Sequence, residues 1–183
     1  YKDAVKEGMV LREFRLKLAQ KLEKELITGL HELDLSKANF NIVFDELTND
    51  VFLEENGIDS VEFMISLNEG EPLKPLAKVA SGGEKARFMF TLKSIFAINL
   101  ELSLLVFDEI DIGISGKTAS KVASKMRELS KNIQMLTITH LPQVAAKADN
   151  HYIIYKDSKD SRMFTHIKKL DYENRVLQVA SML

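Results

Sequence analysis

The sequence contains no cysteine among its 183 residues. This absence excludes disulfide bridges, cysteine-ligated zinc, iron–sulfur clusters and thiol nucleophiles, and it fits a reducing cytoplasm. The sequence also lacks any apolar run of about 18 residues, the length that a membrane span needs, and charged side chains occur throughout residues 1–30. We therefore expect a cytoplasmic chain with no signal peptide and no membrane partner.

Neither sign of charge dominates, because the sequence has 25 Lys and Arg residues and 27 Asp and Glu residues, which gives a net charge of −2. A basic field over the whole chain is therefore excluded, and any contact with nucleic acid must be local. The hydrophobic content of 45% is enough for the core of one ordinary domain. The chain begins with Tyr1 rather than Met, and we expect it to be a piece of something longer.

Residues 4–33 carry apolar side chains at spacings of three and four, which predicts a long amphipathic helix. The apolar positions are Leu11, Phe14, Leu18, Leu22, Leu26, Leu30 and Leu33. The opposite face mixes both charges, with seven basic and five acidic residues over 2–25. Such a face is typical of a solvated surface or of the base of a coiled coil, and both interpretations stay open.

The remaining pattern predicts an α/β fold with a mostly parallel sheet, flanking helices and a small antiparallel region. Alternating apolar residues around Phe40–Phe44 and Val61–Leu67, with Asn56-Gly57 between them, indicate two or three antiparallel strands. Later segments predict, in order, a helix after Gly83, a strand at 102–107, a helix at 117–129, a strand at 135–139, a short helix after Pro142, strands near 152–155 and 163–167, and a closing helix at 172–182.

Two acidic residues, Asp108 and Glu109, follow the apolar run Leu104–Phe107. This run predicts a buried parallel strand, and open α/β sheets bind ligands at the carboxyl ends of such strands. Phosphate chemistry suits two adjacent acids there, because the first can hold Mg²⁺ and the second can polarise a water. The alternative is a strand that simply ends in a polar turn.

A second polar group, Ser81-Gly82-Gly83-Glu84, opens the predicted helix. The spacing of Ser81 and Glu84 is that of a capping box, so a purely structural helix start is one interpretation. The two glycines favour another, since backbone N–H groups without neighbouring side chains can face an anion. His140 follows the strand 135–139, and we expect it at the same sheet edge as Asp108 and Glu109 if the two strands are neighbours.

The segment Gly113–Thr118 ends in Gly-Lys-Thr and is similar to a phosphate-binding P-loop. The P-loop pattern requires glycine where this sequence has Asp111, and that carboxylate would stand where phosphates bind. We therefore interpret Gly116–Thr118 as a turn and the beginning of a helix. The sequence then contains no P-loop.

Together these segments resemble ABC-type ATPases, in order and in spacing. Ser81–Lys85 resembles the signature motif, Leu104–Glu109 resembles a Walker B strand with its catalytic glutamate, and Thr139-His140 resembles the switch-histidine loop. The sequences of Phe107–Gly116 and Thr139–Ala146 are similar to those of the RecN family of SMC-like bacterial DNA repair ATPases. The resemblance implies that residues 1–35 lead from a coiled coil and that residues 36–183 form the C-terminal lobe of an ATPase head.

The resemblance also implies roles for single residues, with ATP and Mg²⁺ as the ligands. Asp108 would serve Mg²⁺, Glu109 would activate water, and His140 would position the γ-phosphate. The signature residues would contact ATP held by the second head of a homodimer; they are Ser81, Gly82, Gly83, Glu84 and Lys85. The loop 112–115 would be the D-loop, which ABC transporters usually end in Asp, where this sequence has Ser115.

The P-loop and Q-loop of such heads belong to an N-terminal lobe that this sequence lacks. The resemblance therefore implies a fragment that is inactive by itself, in a protein that acts on DNA in double-strand break repair and recombination. Two alternatives stay open at this point: a fragment of an ABC transporter or another ABC ATPase, and a non-enzymatic α/β interaction domain.

Overall fold

The computed structural model describes residues 1–47, 53–78, 82–108, 110, 112–159 and 162–183. Its elements in chain order are α1 (Lys2–Glu32), β1 (Asn39–Phe44), β2 (Val61–Ser66), β3 (Lys74–Pro75), a 3₁₀ turn (Leu76–Lys78), α2 (Gly82–Asn99), β4 (Leu104–Asp108), α3 (Gly116–Leu129), β5 (Gln134–Ile138), α4 (Pro142–Ala145), β6 (Tyr152–Lys159), β7 (Arg162–Lys169) and α5 (Tyr172–Ser181). This confirms the predicted α/β class. The chain divides into two compact units, Tyr1–Asn99 and Leu100–Leu183.

The long helix α1 confirms the predicted amphipathic helix, although only part of its apolar stripe is buried. Leu26 and Leu30 are fully buried, whereas Phe14 and Leu18 are 66% and 63% exposed. The stripe therefore supplies a core at its carboxyl end and leaves an apolar surface nearer its amino end.

The core of the first unit forms where α1 and α2 pack against the antiparallel sheet. Phe40 of β1 is central, because its ring lies 5.5 Å from that of Phe63 on β2 and 5.6 Å from that of Phe88 on α2. A side-chain oxygen of Glu23 accepts a hydrogen bond of 2.6 Å from the backbone N–H of Ile42, which joins α1 directly to strand β1. Apolar burial and one polar contact thus fix the helix against the sheet.

The sheet of the first unit has the order β1-β2-β3 and is antiparallel throughout. The β1–β2 register runs from Asn39 opposite Ser66 to Phe44 opposite Val61. This confirms the predicted antiparallel strands, and Gly57 in their connection has a φ of +110°, a conformation that favours glycine.

The amino-terminal half of α1 is held to the β1–β2 connection by polar contacts. Asp59, whose side chain is fully buried, accepts hydrogen bonds from Arg12 at 2.6 Å and Arg15 at 2.9 Å. Gly8 lies so close to Ile58 that an added Cβ would come within 2.6 Å of its side chain. This half of the helix is therefore fixed even though its apolar stripe is exposed.

In the second unit, β4 and β5 form a parallel pair whose crossover contains α3. The buried face of α3 has helical spacing and consists of Ala119, Val122, Ala123, Met126 and Leu129. Strands β6 and β7 form an antiparallel hairpin, and α5 follows it. No helix in the described ranges is both long and apolar enough to cross a membrane.

The expectation that Leu104–Phe107 is a fully buried strand is wrong for one of its faces. Leu105 and Phe107 are buried, whereas Leu104 and Val106 are 49% and 44% exposed. Alternate side chains of a strand point to opposite faces of the sheet, so the four apolar residues divide between the two faces. Among the described residues, only one face of β4 is covered.

The two ends of the α1 stripe allow a matched test of this packing. Leu30→Ala removes a fully buried side chain and is expected to lower the free energy of unfolding by about 2–5 kcal/mol. Leu18→Ala, on the exposed end of the same stripe, is expected to change it by less than about 0.5 kcal/mol. Denaturant unfolding of both variants measures the difference, and equal losses would contradict the burial described here.

Candidate functional site

Strands β4 and β5 bring Asp108 and His140 to the same end of their sheet. Their parallel register runs from Leu104 opposite Gln134 to Asp108 opposite Ile138, and His140 comes soon after β5 ends. Both side chains are exposed. The expectation that the two strands are neighbours is confirmed, and a carboxylate and an imidazole therefore share the edge where such sheets bind ligands.

The loop after β4 leads directly into α3. Glu109 and Asp111 lie outside the described residues. Ile110 and Ile114 are buried, whereas Ile112 between them is exposed. Ser115 is the exposed N-cap residue of α3, and Gly116 follows with a φ of +53°. The helix begins at Gly116, which confirms the predicted helix start, whereas the turn lies earlier, at residues 112 and 113.

The glycine-rich segment lies in the other compact unit, at the amino end of α2. Ser81 lies outside the described residues, so the predicted capping box stays a prediction. Gly82 is exposed, and an added Cβ there would meet nothing within 4 Å, whereas Gly83 is buried. The helix start therefore presents accessible backbone, with the exposed Lys85 one turn along and Glu84 half-buried.

Arg87 ties this helix start to the end of α1, a contact that the sequence pattern did not predict. Its guanidinium donates a hydrogen bond of 2.9 Å to the carbonyl of Leu33 and one of 3.2 Å to the carbonyl of Gly83. Partial burial lowers the pKa of Arg87, against the opposing effects of Glu84 and Asp34. The carboxyl end of α1 and the glycine-rich start of α2 are thus joined through one side chain.

The segment after His140 is also closely organised. The Thr139 hydroxyl accepts a hydrogen bond of 3.0 Å from the backbone N–H of Leu141, directly before α4. Further along, Nδ1 of His151 is buried and has no hydrogen-bond partner in the part of the chain that the structure describes. Burial lowers the pKa of His151 below its ordinary value of 6.5, and the charge of Arg175 lowers it further.

Asp108 is the predicted ligand for Mg²⁺. Within the described ranges, no three His, Asp or Glu side chains come together as a metal site. A single carboxylate nevertheless fits Mg²⁺ in nucleotide sites, because the ion takes one or two protein carboxylates and completes its shell with phosphates and water.

Comparison with known proteins gives a consistent set of relatives. The chain is 42% identical over 178 residues to the DNA repair protein RecN of Halalkalibacterium halodurans, covering 97% of this chain and 32% of that protein. It is 41% identical over 194 residues to RecN of Bacillus subtilis, covering 100% of this chain and 34% of that protein. The chain thus spans about one third of the length of these relatives. No protein-family model matches it.

Solved structures of similar fold are heads of SMC proteins. The Smc head domain with a coiled coil and joint from Pyrococcus yayanosii superposes with a TM-score of 0.69 at 20% identity, covering 92% of this chain and 30% of that one. A structure from work on ATP-driven dimerization and DNA-stimulated activation of SMC ATPases gives 0.63 at 17% identity, covering 92% and 94%. At such identities the likeness establishes the fold.

The half-buried His151, whose Nδ1 atom is buried, generates a prediction about pH. Its pKa in the folded chain lies below that of the unfolded chain, so its neutral form stabilises the fold above about pH 6.5, and this contribution is lost as the pH falls through the lower value. His151→Gln should therefore reduce the loss of unfolding free energy between pH 7.5 and pH 5.5, measured by denaturant unfolding. An NMR titration that puts the His151 pKa at or above 6.5 would contradict this.

Proposed function

We propose that the chain belongs to the RecN family, of whose members it covers about one third, and that it forms one lobe of an ATPase head in a DNA repair protein. The observation that supports this most directly is the placement of Asp108 and His140 at one edge of a parallel strand pair. Two such groups at a strand end suit the hydrolysis of a bound nucleotide.

In the proposed reaction, each residue acts on ATP at the interface of two heads. Glu109 accepts a proton from a water whose oxygen attacks the γ-phosphorus, and the bond to the β–γ bridging oxygen breaks to give ADP and inorganic phosphate. His140 contacts and positions the γ-phosphate. Asp108 holds Mg²⁺, which when bound offsets the negative charge of the phosphates.

The amino end of α2 is proposed to contact the ATP that the second head holds. Ser81, Gly82 and Gly83 contact the γ-phosphate held by the second head of a homodimer, through the hydroxyl and backbone N–H groups at a positive helix end. Glu84 and Lys85 complete the signature segment, and Ser115 ends the D-loop that crosses between heads. The accessible backbone at Gly82 supports this arrangement.

An N-terminal lobe of the same protein is the proposed partner of the β4–β5 sheet. One face of this sheet exposes a row of apolar side chains, namely Leu104, Val106, Leu136 and Ile138. Parallel sheets occur almost only with both faces covered, so a further layer or further strands are expected against this face. A lobe carrying the P-loop and Q-loop satisfies that requirement and supplies the missing ATP-binding groups.

The amino-terminal half of α1 is proposed to enter from a coiled coil, with residues 1–35 leading into the head and residues 36–183 forming the lobe. Its exposed residues Leu11, Phe14 and Leu18 are spaced by three and four, as in a coiled-coil seam. A helix packed along this seam would cover the part of the stripe that the head leaves exposed.

The complete protein is proposed to act on DNA in double-strand break repair and recombination, in the cytoplasm and at the nucleoid. ATP binding brings two heads together, and hydrolysis releases them, which changes how the coiled coils hold DNA. The net charge of −2 means that any DNA contact of this chain is confined to local basic groups. The names of the relatives as DNA repair proteins support this assignment.

A first experiment tests whether the lobe is incomplete. Calorimetric titration of Mg-ATP into the 183-residue chain should give no measurable binding, whereas the same titration with the N-terminal lobe added should give binding. Tight binding to the chain alone, abolished by Lys117→Ala, would instead identify Gly113–Thr118 as a phosphate site and contradict the proposal.

A second experiment tests the water-activating residue in the complete protein. Glu109→Gln should lower ATP turnover by a factor of about 100 or more, because the general base is lost, while ATP-dependent association of heads is retained. Glu128→Gln, an exposed change on α3 that breaks a surface ion pair with Lys125, is the matched control and should leave turnover unchanged. Rapid hydrolysis by the Glu109 variant would contradict the assignment.

A further inference from the structure

Arg175 of α5 makes an unusual set of contacts with the end of α4. One of its terminal nitrogens donates to the backbone carbonyls of Ala145, Ala146 and Ala148, with 2.7 Å to the carbonyl of Ala146. The other donates to the carbonyl of Asp149 at 3.4 Å. One half-buried side chain thus binds the last carbonyl of α4 and carbonyls of the residues that follow this helix.

Helix α4 needs such support because it has only four residues, Pro142–Ala145. A single helical turn fixes several residues for very few hydrogen bonds and is unfavourable by itself. A cation at its carboxyl end favours it, since the carboxyl end of a helix carries partial negative charge. A guanidinium serves better than an ammonium, because it offers several donors in a fixed plane.

The same segment is held from a second side by α3. Arg127 forms an ion pair with Asp149, which lowers the pKa of Asp149. The ammonium of Lys147 lies 2.6 Å from the hydroxyl of Ser124. Residues 145–149 are therefore fixed between α3 and α5. Helix α4 connects this segment to Leu141 and, directly before it, His140.

We propose that Arg175 is a positioning residue for His140, acting through α4. The inference rests on the role in ATP hydrolysis proposed above for His140. Arg175 does not touch the nucleotide in this proposal. It keeps α4 formed, so that the Thr139–Leu141 turn holds the imidazole at the sheet edge beside Asp108. Displacement of a catalytic group by about 1 Å lowers a rate by up to about 100-fold, so a support of this kind has a measurable effect.

The test is a double-mutant cycle in the full-length protein. The variants are Arg175→Ala, His140→Ala and the two combined, with Arg162→Ala on the exposed hairpin as the matched control. Arg175→Ala should lower kcat by roughly 10-fold or more while changing the KM for ATP little, because the proposed P-loop and Q-loop of the N-terminal lobe supply most of the contacts that bind ATP. In the His140→Ala background it should have no further effect, since its target is already absent.

Arg175→Lys tests whether the planar guanidinium with its several donors is needed, and it replaces Arg175→Ala if that variant does not fold. It keeps the charge with a single donor group, and its kcat should lie between those of the wild type and Arg175→Ala. If Arg175→Ala does not fold, as judged by circular dichroism, Arg175→Lys takes its place in the cycle.

The outcomes separate this inference from the function on which it rests. Full turnover in Arg175→Ala together with impaired turnover in His140→Ala would overturn the positioning role alone. An equal loss in both backgrounds would also overturn it, because a general structural effect is independent of His140. Normal turnover in His140→Ala would contradict the proposed role of His140, and the positioning role would be overturned with it.

Discussion

Parallel pairing of β4 with β5 is the interaction on which the candidate site depends. Asp108 lies opposite Ile138 at the last register position, so the residues that follow β4 and β5 lie at the same edge of the sheet. An antiparallel pair, in contrast, would send the residues after the two strands to opposite ends. The crossover through α3 makes the parallel arrangement possible and places the loop 112–115 at that edge too. The chemistry proposed for the site follows from this topology.

The same strand pair supports the proposal that this chain needs a further lobe to act as a catalyst. Leu104 and Val106 stay about half exposed on one face, while Leu105 and Phe107 are buried on the other. A parallel sheet of two strands buries too little apolar surface to be a finished layer, and its open face matches the lobe that the proposed function requires. The proposed N-terminal lobe would supply both the P-loop and the cover for this face.

Periodic features were predictable from the sequence, because repeated apolar spacing reports local geometry directly. The helix α1, the alternation around Phe40, and the strand before Asp108 were all predicted on this basis, and the shared edge of Asp108 and His140 followed from strand order. Burial was less predictable. The exposed Phe14 and Val106 have the spacing of core residues, so spacing alone does not show whether an apolar side chain is buried within this chain.

The arginine contacts could not have been predicted, because a single long polar side chain leaves no periodic signal. Asp59 is fully buried only because Arg12 and Arg15 offset its charge, and loss of either partner would leave that charge poorly compensated. Arg87 and Arg175 each satisfy carbonyls at a helix end. These contacts occur at an exposed helix half, at a helix start and beside a one-turn helix. Directional hydrogen bonds fix geometry in such places, where burial of a few side chains cannot.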